Sequence, residues 1–162
     1  MSAGGPDEPL PLPVSAGCFV CGRDNRRGLR LRFSRHGELE VRAPCRLEHE
    51  YIGFTSRAHG GVVASVLDEA MGWATTLAAG CFTYTVLLNL RYRRPVPTGE
   101  PLEVRGRVIR HTRRLSFAEG ELRDATGDVL ASANGTFMPM PETESRRVAE
   151  SLLYEPGDWH LP

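Results

Sequence analysis

Lysine is absent from this chain: all twenty basic residues are arginine. Twenty acidic residues cancel them, so the formal net charge is zero. A domain without charge excess lacks the broad basic surface that nucleic acid requires, so no nucleic-acid partner is expected. The exclusive use of arginine fits a GC-rich genome, and arginine also suits bidentate phosphate contacts. No apolar run approaches the roughly 18–20 residues of a membrane span, so no membrane partner is expected. The opening stretch, MSAGGPDEPLPLP, has neither a basic residue nor an apolar core, and a secretion signal is not expected there. The four cysteines are then expected to be reduced thiols in the cytoplasm. No internal repeat is visible.

What is present is one domain's worth of chain. At 162 residues, with 41% hydrophobic and 25% charged, it can bury a core without disulfides or metal. Residues 1–17 hold Pro6, Pro9, Pro11 and Pro13 among small residues and read as a flexible leader. Leu29–Phe33 and Glu38–Arg42 alternate apolar and charged residues around His36-Gly37, which predicts a hairpin with one wet face. Residues 44–58 read as irregular. Val62–Ala79 has no proline and ends at Gly80, which predicts a helix. Val63, Val66, Leu67, Ala70, Met71, Ala74, Leu77 and Ala78 recur at helical spacing and form its apolar face.

The remainder alternates as strands: 83–94, 102–110, 115–124 and 129–138, with turns at Pro95–Gly99 and Thr126-Gly127-Asp128. Residues 142–153 predict a short helix, followed by a tail. One helix cannot cover both faces of about six strands. The economical α+β arrangement is a curved antiparallel sheet wrapped around that helix, with an edge that favours self-association.

Asp68 is the best chemical candidate. Gly61, Ser65 and Gly72 project within about 60° of it on a helical wheel, roughly opposite the apolar face. A carboxylate on a stripe of small residues is open to a ligand or to a second chain. Gly60-Gly61 begins the helix, where free N–H groups and the positive dipole end can receive a carbonyl oxygen that becomes negative during attack. That tip lies about 10–12 Å from Asp68 along the axis at 1.5 Å per residue. A substrate must bridge the gap, or a second chain must close it.

His59-Gly60-Gly61 with Asp68 seven residues after Gly61 resembles the HGG-and-acid helix of hotdog-fold acyl-CoA thioesterases, in the phenylacetate-pathway (PaaI-type) group. Thr85–Glu100, with Asn89, Tyr92 and Pro95, resembles the strand and proline turn that follow this helix. Cys18–Leu29 resembles a leader of some members. The likeness spans about residues 18–138. It implies a hotdog domain over 18–140, with 1–17 as leader and 141–162 as a short helix and tail. It also implies a homodimer, with dimers that pair into tetramers, sheets joined edge to edge and sites at the interface, so that the glycine and the acid of one site come from different chains.

By the same resemblance Asp68 is the catalytic carboxylate, as general base or as nucleophile, and Gly60 supplies the N–H that polarises the thioester carbonyl. Thr85 falls near the attacking water, and His59 orients the site. The spacing favours Asp68 over Glu69. Some relatives carry Asn six residues before this His, where Gly53 stands here. Coenzyme A carries three phosphates, which call for arginine or a helix N-terminus. Arg91, Arg93 and Arg94 share a strand, while Arg110, Arg113 and Arg114 surround a turn. Gly61, Arg113 and Arg114 are the expected coenzyme contacts.

The expected activity is cofactor-free hydrolysis of acyl-CoA thioesters, with coenzyme A only as part of the substrate. The alternatives are a non-catalytic acyl-CoA-binding protein and a hotdog hydratase or dehydratase, whose Asp and His loop pattern is not seen. No metal is expected. Cys18-x-x-Cys21 has no second CxxC to complete a structural zinc site, and the pair is expected to fill small buried volumes. Asn134-Gly135-Thr136 matches a glycosylation pattern but reads as strand. Asn89 is expected to bond across the helix–strand layer.

Overall fold

The computed structural model of the chain describes residues 9–162. In chain order these form β1 (Leu10–Pro11), β2 (Val14–Ser15), β3 (Ser34–His36), β4 (Glu40–Cys45), a 3-10 turn at His49–Tyr51, β5 (Ile52–Phe54), β6 (Arg57–Ala58), α1 (Gly60–Ala79), β7 (Thr83–Tyr92), β8 (Leu102–His111), β9 (Ser116–Asp124), β10 (Val129–Pro139), α2 (Glu142–Glu150) and β11 (Leu152–Leu153). The expected antiparallel sheet packed on one long helix is what forms, with seven strands among the described residues instead of about six. The order is β1-β3-β4-β8-β9-β10-β7, and every pairing is antiparallel.

The helix begins two residues before the predicted start and stops where Gly80 adopts φ +65°, its N–H donating to Thr76 O. Of the predicted apolar face, Val63, Val66, Leu67, Ala70, Met71 and Ala74 are buried, and Leu77 packs beside them. Trp73, Thr75 and Thr76 are buried as well. That wider contact comes from Phe82, edge-on to Trp73 at 5.7 Å, and from Thr83, whose hydroxyl meets Thr75 Oγ1 at 2.8 Å.

Glycine lets the helix lie close to the sheet. Gly106 pairs with Gly120, which pairs with Ala133, so a row of small residues crosses β8, β9 and β10. A Cβ at Gly106 would stand 2.4 Å from Ala70 O. The opposite face of the sheet is wet. Ion pairs join Arg42 to Glu40, Arg105 to Glu103, Arg107 to Glu119 and Arg123 to Glu121. The Arg107–Glu119 pair crosses from β8 to β9, and the other three join residues two apart on one strand; each contributes little to stability.

Four expectations need correction. First, residues 1–8 lie outside the described residues, but from Leu10 the supposed leader is part of the fold. Leu10–Pro11 pairs with β3, Leu12 is fully buried, and its N–H donates to Phe33 O at 3.0 Å. Proline favours extended backbone and is tolerated on an edge, so alternating Leu10, Leu12 and Val14 can bury side chains among the prolines. Second, the terminal helix stops at Glu150, and the rest is no loose tail. Leu152–Leu153 pairs with β2, Trp159 N–H donates to Pro11 O at 2.8 Å, and buried Asp158 bonds Arg32 at 2.6 Å.

Third, residues 29–33 are not a sheet strand. Leu29 and Leu31 N–H donate to Phe19 and Val20 carbonyls at 2.8 and 2.9 Å, which ties this segment to the turn after Cys18. Fourth, the stretch 44–58 contains the end of β4, a 3-10 turn and the β5–β6 hairpin. No helix among the described residues is long and apolar enough to cross a membrane.

Candidate active site

The helix tip is built around His59. It caps α1 from an extended backbone, and its Nδ1 accepts from Gly61 N–H at 3.0 Å. The Gly61 N–H is thereby occupied, so it offers no free donor to a coenzyme. The His59 N–H donates to Tyr51 O at 2.8 Å, while Tyr92 Oη donates to Gly60 O at 2.7 Å. The Gly60 N–H meets no acceptor among the described residues. It faces the positive end of the helix, where a developing oxyanion is best received. Gly60, Phe54, Arg57, Tyr92, Arg93 and Pro95 line a cleft of about 400 Å³. Gly53 sits close under His59, where a Cβ would stand 3.0 Å from His59 Cα and force a small shift.

Asp68 lies two turns along α1. Its side chain is half-buried, and Thr85 Oγ1 donates to Oδ1 at 2.8 Å. Burial pushes the Asp68 carboxyl above the usual aspartate value, and the Thr85 bond opposes that rise. A break in register between β10 and β7 makes this contact possible. Phe137 pairs with Thr85 and Thr136 with Leu87, so Val86 is an extra residue on β7. The bulge resets the alternation. Thr83 and Thr85 face the helix before it, and Leu88, Leu90 and Tyr92 face the helix after it. Asn89 therefore points outward and is exposed, contrary to the expected bond across the layer.

Asp68 and Thr85 line a cavity of about 300 Å³ together with Glu69, Cys18, Cys21, Trp73 and Phe82. The cysteines belong to this wall, which sequence reasoning missed. Cys18 Sγ lies 3.6 and 3.7 Å from the two Glu69 oxygens. The hydrogen bond from the Cys21 side chain holds the Cys18 thiol below its ordinary value, and the same contact with burial pushes Cys21 up. Burial first, then the Cys18 charge, pushes Glu69 up to about 8. Glu69 thus faces the thiols, while Asp68 faces Thr85. The available signal was the CxxC-Gly spacing followed by an acid beside Asp68.

The arginines divide differently from expectation. Arg113 and Arg114 are exposed in the turn between β8 and β9 and line neither cavity. Arg110 stacks on Phe117 at 4.1 Å. Arg93 and Arg94 flank the Gly60 cleft, Arg94 paired with Asp128. The structure thus brings His59, Gly60 and Gly61 together at one place and Asp68 with Thr85 at another, both on α1.

Residues 56–131 match the model of the thioesterase superfamily. A Pseudomonas aeruginosa protein named as a candidate esterase is 26% identical over 129 residues, 78% of this chain and 87% of that protein. A crystal structure described as a thioesterase superfamily protein superposes with a TM-score of 0.70 at 31% identity, covering 75% of this chain and 59% of the other. A Streptococcus mutans protein solved with acetyl-CoA has a TM-score of 0.65 at 16% identity, covering 73% of this chain and 94% of the other.

Proposed function

We propose that this chain, which matches the thioesterase superfamily over residues 56–131 and shares the hotdog fold, is a member of that family that hydrolyses acyl-CoA thioesters. Asp68 acts as general base on a water. The Gly60 N–H receives the carbonyl oxygen as it gains charge. The water's oxygen bonds to the acyl carbon, its proton passes to Asp68, and the carbon–sulfur bond breaks. The products are the free acid and coenzyme A, whose sulfur takes back a proton.

The observation that carries this reading is the Asp68–Thr85 pair at 2.8 Å beside a cavity. Thr85 engages one carboxylate oxygen and leaves the other for water. The acetyl-CoA held by the Streptococcus mutans neighbour of the same fold supports a coenzyme A substrate.

The tip and the acid are separated by eight residues, about 12 Å of helix. A homodimer closes the gap by setting the Gly60 of one protomer against the Asp68 of its partner. The free edge of β7 supports that arrangement. β7 is ten residues long, pairs only with β10 among the described residues, and exposes Tyr84, Val86 and Leu87. An uncapped apolar edge of this length is a template for a second copy. The Arg113–Arg114 turn, exposed between β8 and β9, is the proposed phosphate contact.

The test is release of free thiol from short, long and aryl acyl-CoAs. Wild type is expected to turn over at least one class, and Asp68→Asn is expected to lose about 10²–10⁴-fold in kcat with KM little changed. Absence of thiol release from every acyl-CoA, or equal rates in Asp68→Asn, overturns the reading.

A further inference from the structure

We propose that Cys18, Cys21 and Glu69 form a zinc site whose fourth position opens on the Asp68 cavity. The argument begins with the turn at residues 18–22. Val20 and Cys21 N–H groups donate to Cys18 Sγ at 3.3 and 3.5 Å, and Gly22 N–H donates to Cys18 O at 3.0 Å. A Cβ at Gly22 would stand 2.1 Å from Cys18 O, so this turn demands glycine directly after the second cysteine. Two backbone donors on one sulfur favour its thiolate, the form that ligates metal. The turn also aims both sulfurs at one point, the geometry that C-x-x-C spacing serves in zinc proteins.

The third group arrives from a distant part of the chain. Glu69 stands on α1, 51 positions from Cys18, with its oxygens 3.6 and 3.7 Å from Cys18 Sγ. A ligand atom from each of Cys18, Cys21 and Glu69 lies within 4.8 Å of the others. For Zn–S near 2.3 Å and Zn–O near 2.0 Å, the sulfur–oxygen edge of a tetrahedron is about 3.5 Å. The observed separations are therefore those of neighbouring ligands. Cys21 is buried, Cys18 and Glu69 are half-buried, and all three face one cavity.

The donor set selects the metal. Thiolates favour zinc over magnesium or calcium, and two thiolates with one carboxylate make three protein ligands. Such a site keeps one position for water or a substrate oxygen. All three residues line the same cavity as Asp68 and Thr85. The ion would also clip the N-terminal segment onto α1. The sequence offered no second CxxC, and the completing ligand is the acid next to the proposed base.

Zinc content of the purified, desalted protein is the first measurement. About one zinc per chain is expected in wild type and in Cys81→Ser, and background levels in Cys18→Ser, Cys21→Ser and Glu69→Gln. Cobalt(II) titration of the reduced, metal-free wild type needs no variant. It is expected to saturate at about one equivalent, with thiolate-to-cobalt charge-transfer and tetrahedral d–d bands that zinc abolishes. No saturable cobalt spectrum, equal zinc in a Cys18→Ser/Cys21→Ser double variant, or failure of the fully reduced protein to take up zinc would each overturn the proposal. None of these readouts depends on thioester hydrolysis, so the site stands or falls apart from the proposed activity.

Discussion

Asp68 is held between two opposing influences. Burial lifts its pKa, and the hydroxyl of Thr85 lowers it by donating to the charged form. A base works only as the carboxylate, so activity is present above its pKa and is lost as the pH falls through it. Because the net shift is upward, the acid limb of kcat/KM is expected above the range of an ordinary aspartate. Thr85→Val removes the lowering contact and should move that limb to still higher pH, while Thr85→Ser should restore it. An unchanged limb in Thr85→Val would mean the threonine does not act through Asp68.

Gly60 permits an equally sharp residue-level experiment. Proline is accepted at the first position of a helix, and the residue before proline must be extended. His59 is extended, with φ −63° and ψ 134°. Gly60→Pro therefore deletes the N–H at a position where proline suits the backbone, its Cβ meeting the tip of the Tyr92 side chain at 3.2 Å, and Gly60→Ala, which adds that Cβ but keeps the N–H, is the control. The expected loss in kcat is about 10²–10³-fold, with the helix signal in circular dichroism unchanged. A smaller loss would place the oxyanion elsewhere.

Between elements, the contact that sets the site is α1 on the sheet. Gly106→Ala would press a Cβ against Ala70 O, which is backbone and cannot rotate away. Gly120→Ala would meet first Met71 Cγ and Leu67 Cδ2 at 3.2 and 3.3 Å, which are side-chain atoms. Gly106→Ala should cost roughly 1–3 kcal/mol, or about 2–4 °C in Tm for each kcal/mol, and Gly120→Ala clearly less. Equal costs in thermal denaturation would contradict the close approach at Gly106.

The same layer separates what the sequence discloses from what it conceals. The periodicity from Val63 to Leu77 and the stop at Gly80 reveal α1, because a helix on a sheet must bury one stripe. Strands β7 to β10 are visible by alternation and turn residues. Leu12 is not legible because its segment is held by backbone bonds from Leu12 to Phe33 and from Trp159 to Pro11, partners far away in sequence, and the flanking prolines look like linker. Likewise Asp68 and Gly60 stand out as a spaced motif on one element. The Cys18–Cys21–Glu69 cluster requires the loop before β3 to fold back onto α1, and no local pattern encodes that return. The outward turn of Asn89 follows from one extra residue at Val86, which a strict two-residue repeat cannot anticipate.

For the whole molecule, the decisive question is whether one protomer can hold a complete site. Its tip and its acid share a helix about 12 Å apart, and among the described residues β7 leaves an apolar edge uncovered. Charges on that edge should prevent pairing, so Val86→Glu/Leu87→Glu is expected to scatter light as a monomer near 17.9 kDa and to lose activity together with association. An active monomer would refute the shared site. A stricter test mixes two inactive chains, Asp68→Asn and Gly60→Pro, after subunit exchange. In a two-fold dimer whose sites each take the acid from one protomer and the amide from its partner, the mixed dimer has one site with both defects and one with neither. Half the dimers are mixed and half their sites are whole, so about one quarter of wild-type activity should return. If acid and amide served within one chain, every site in the mixture would carry a defect and nothing would return.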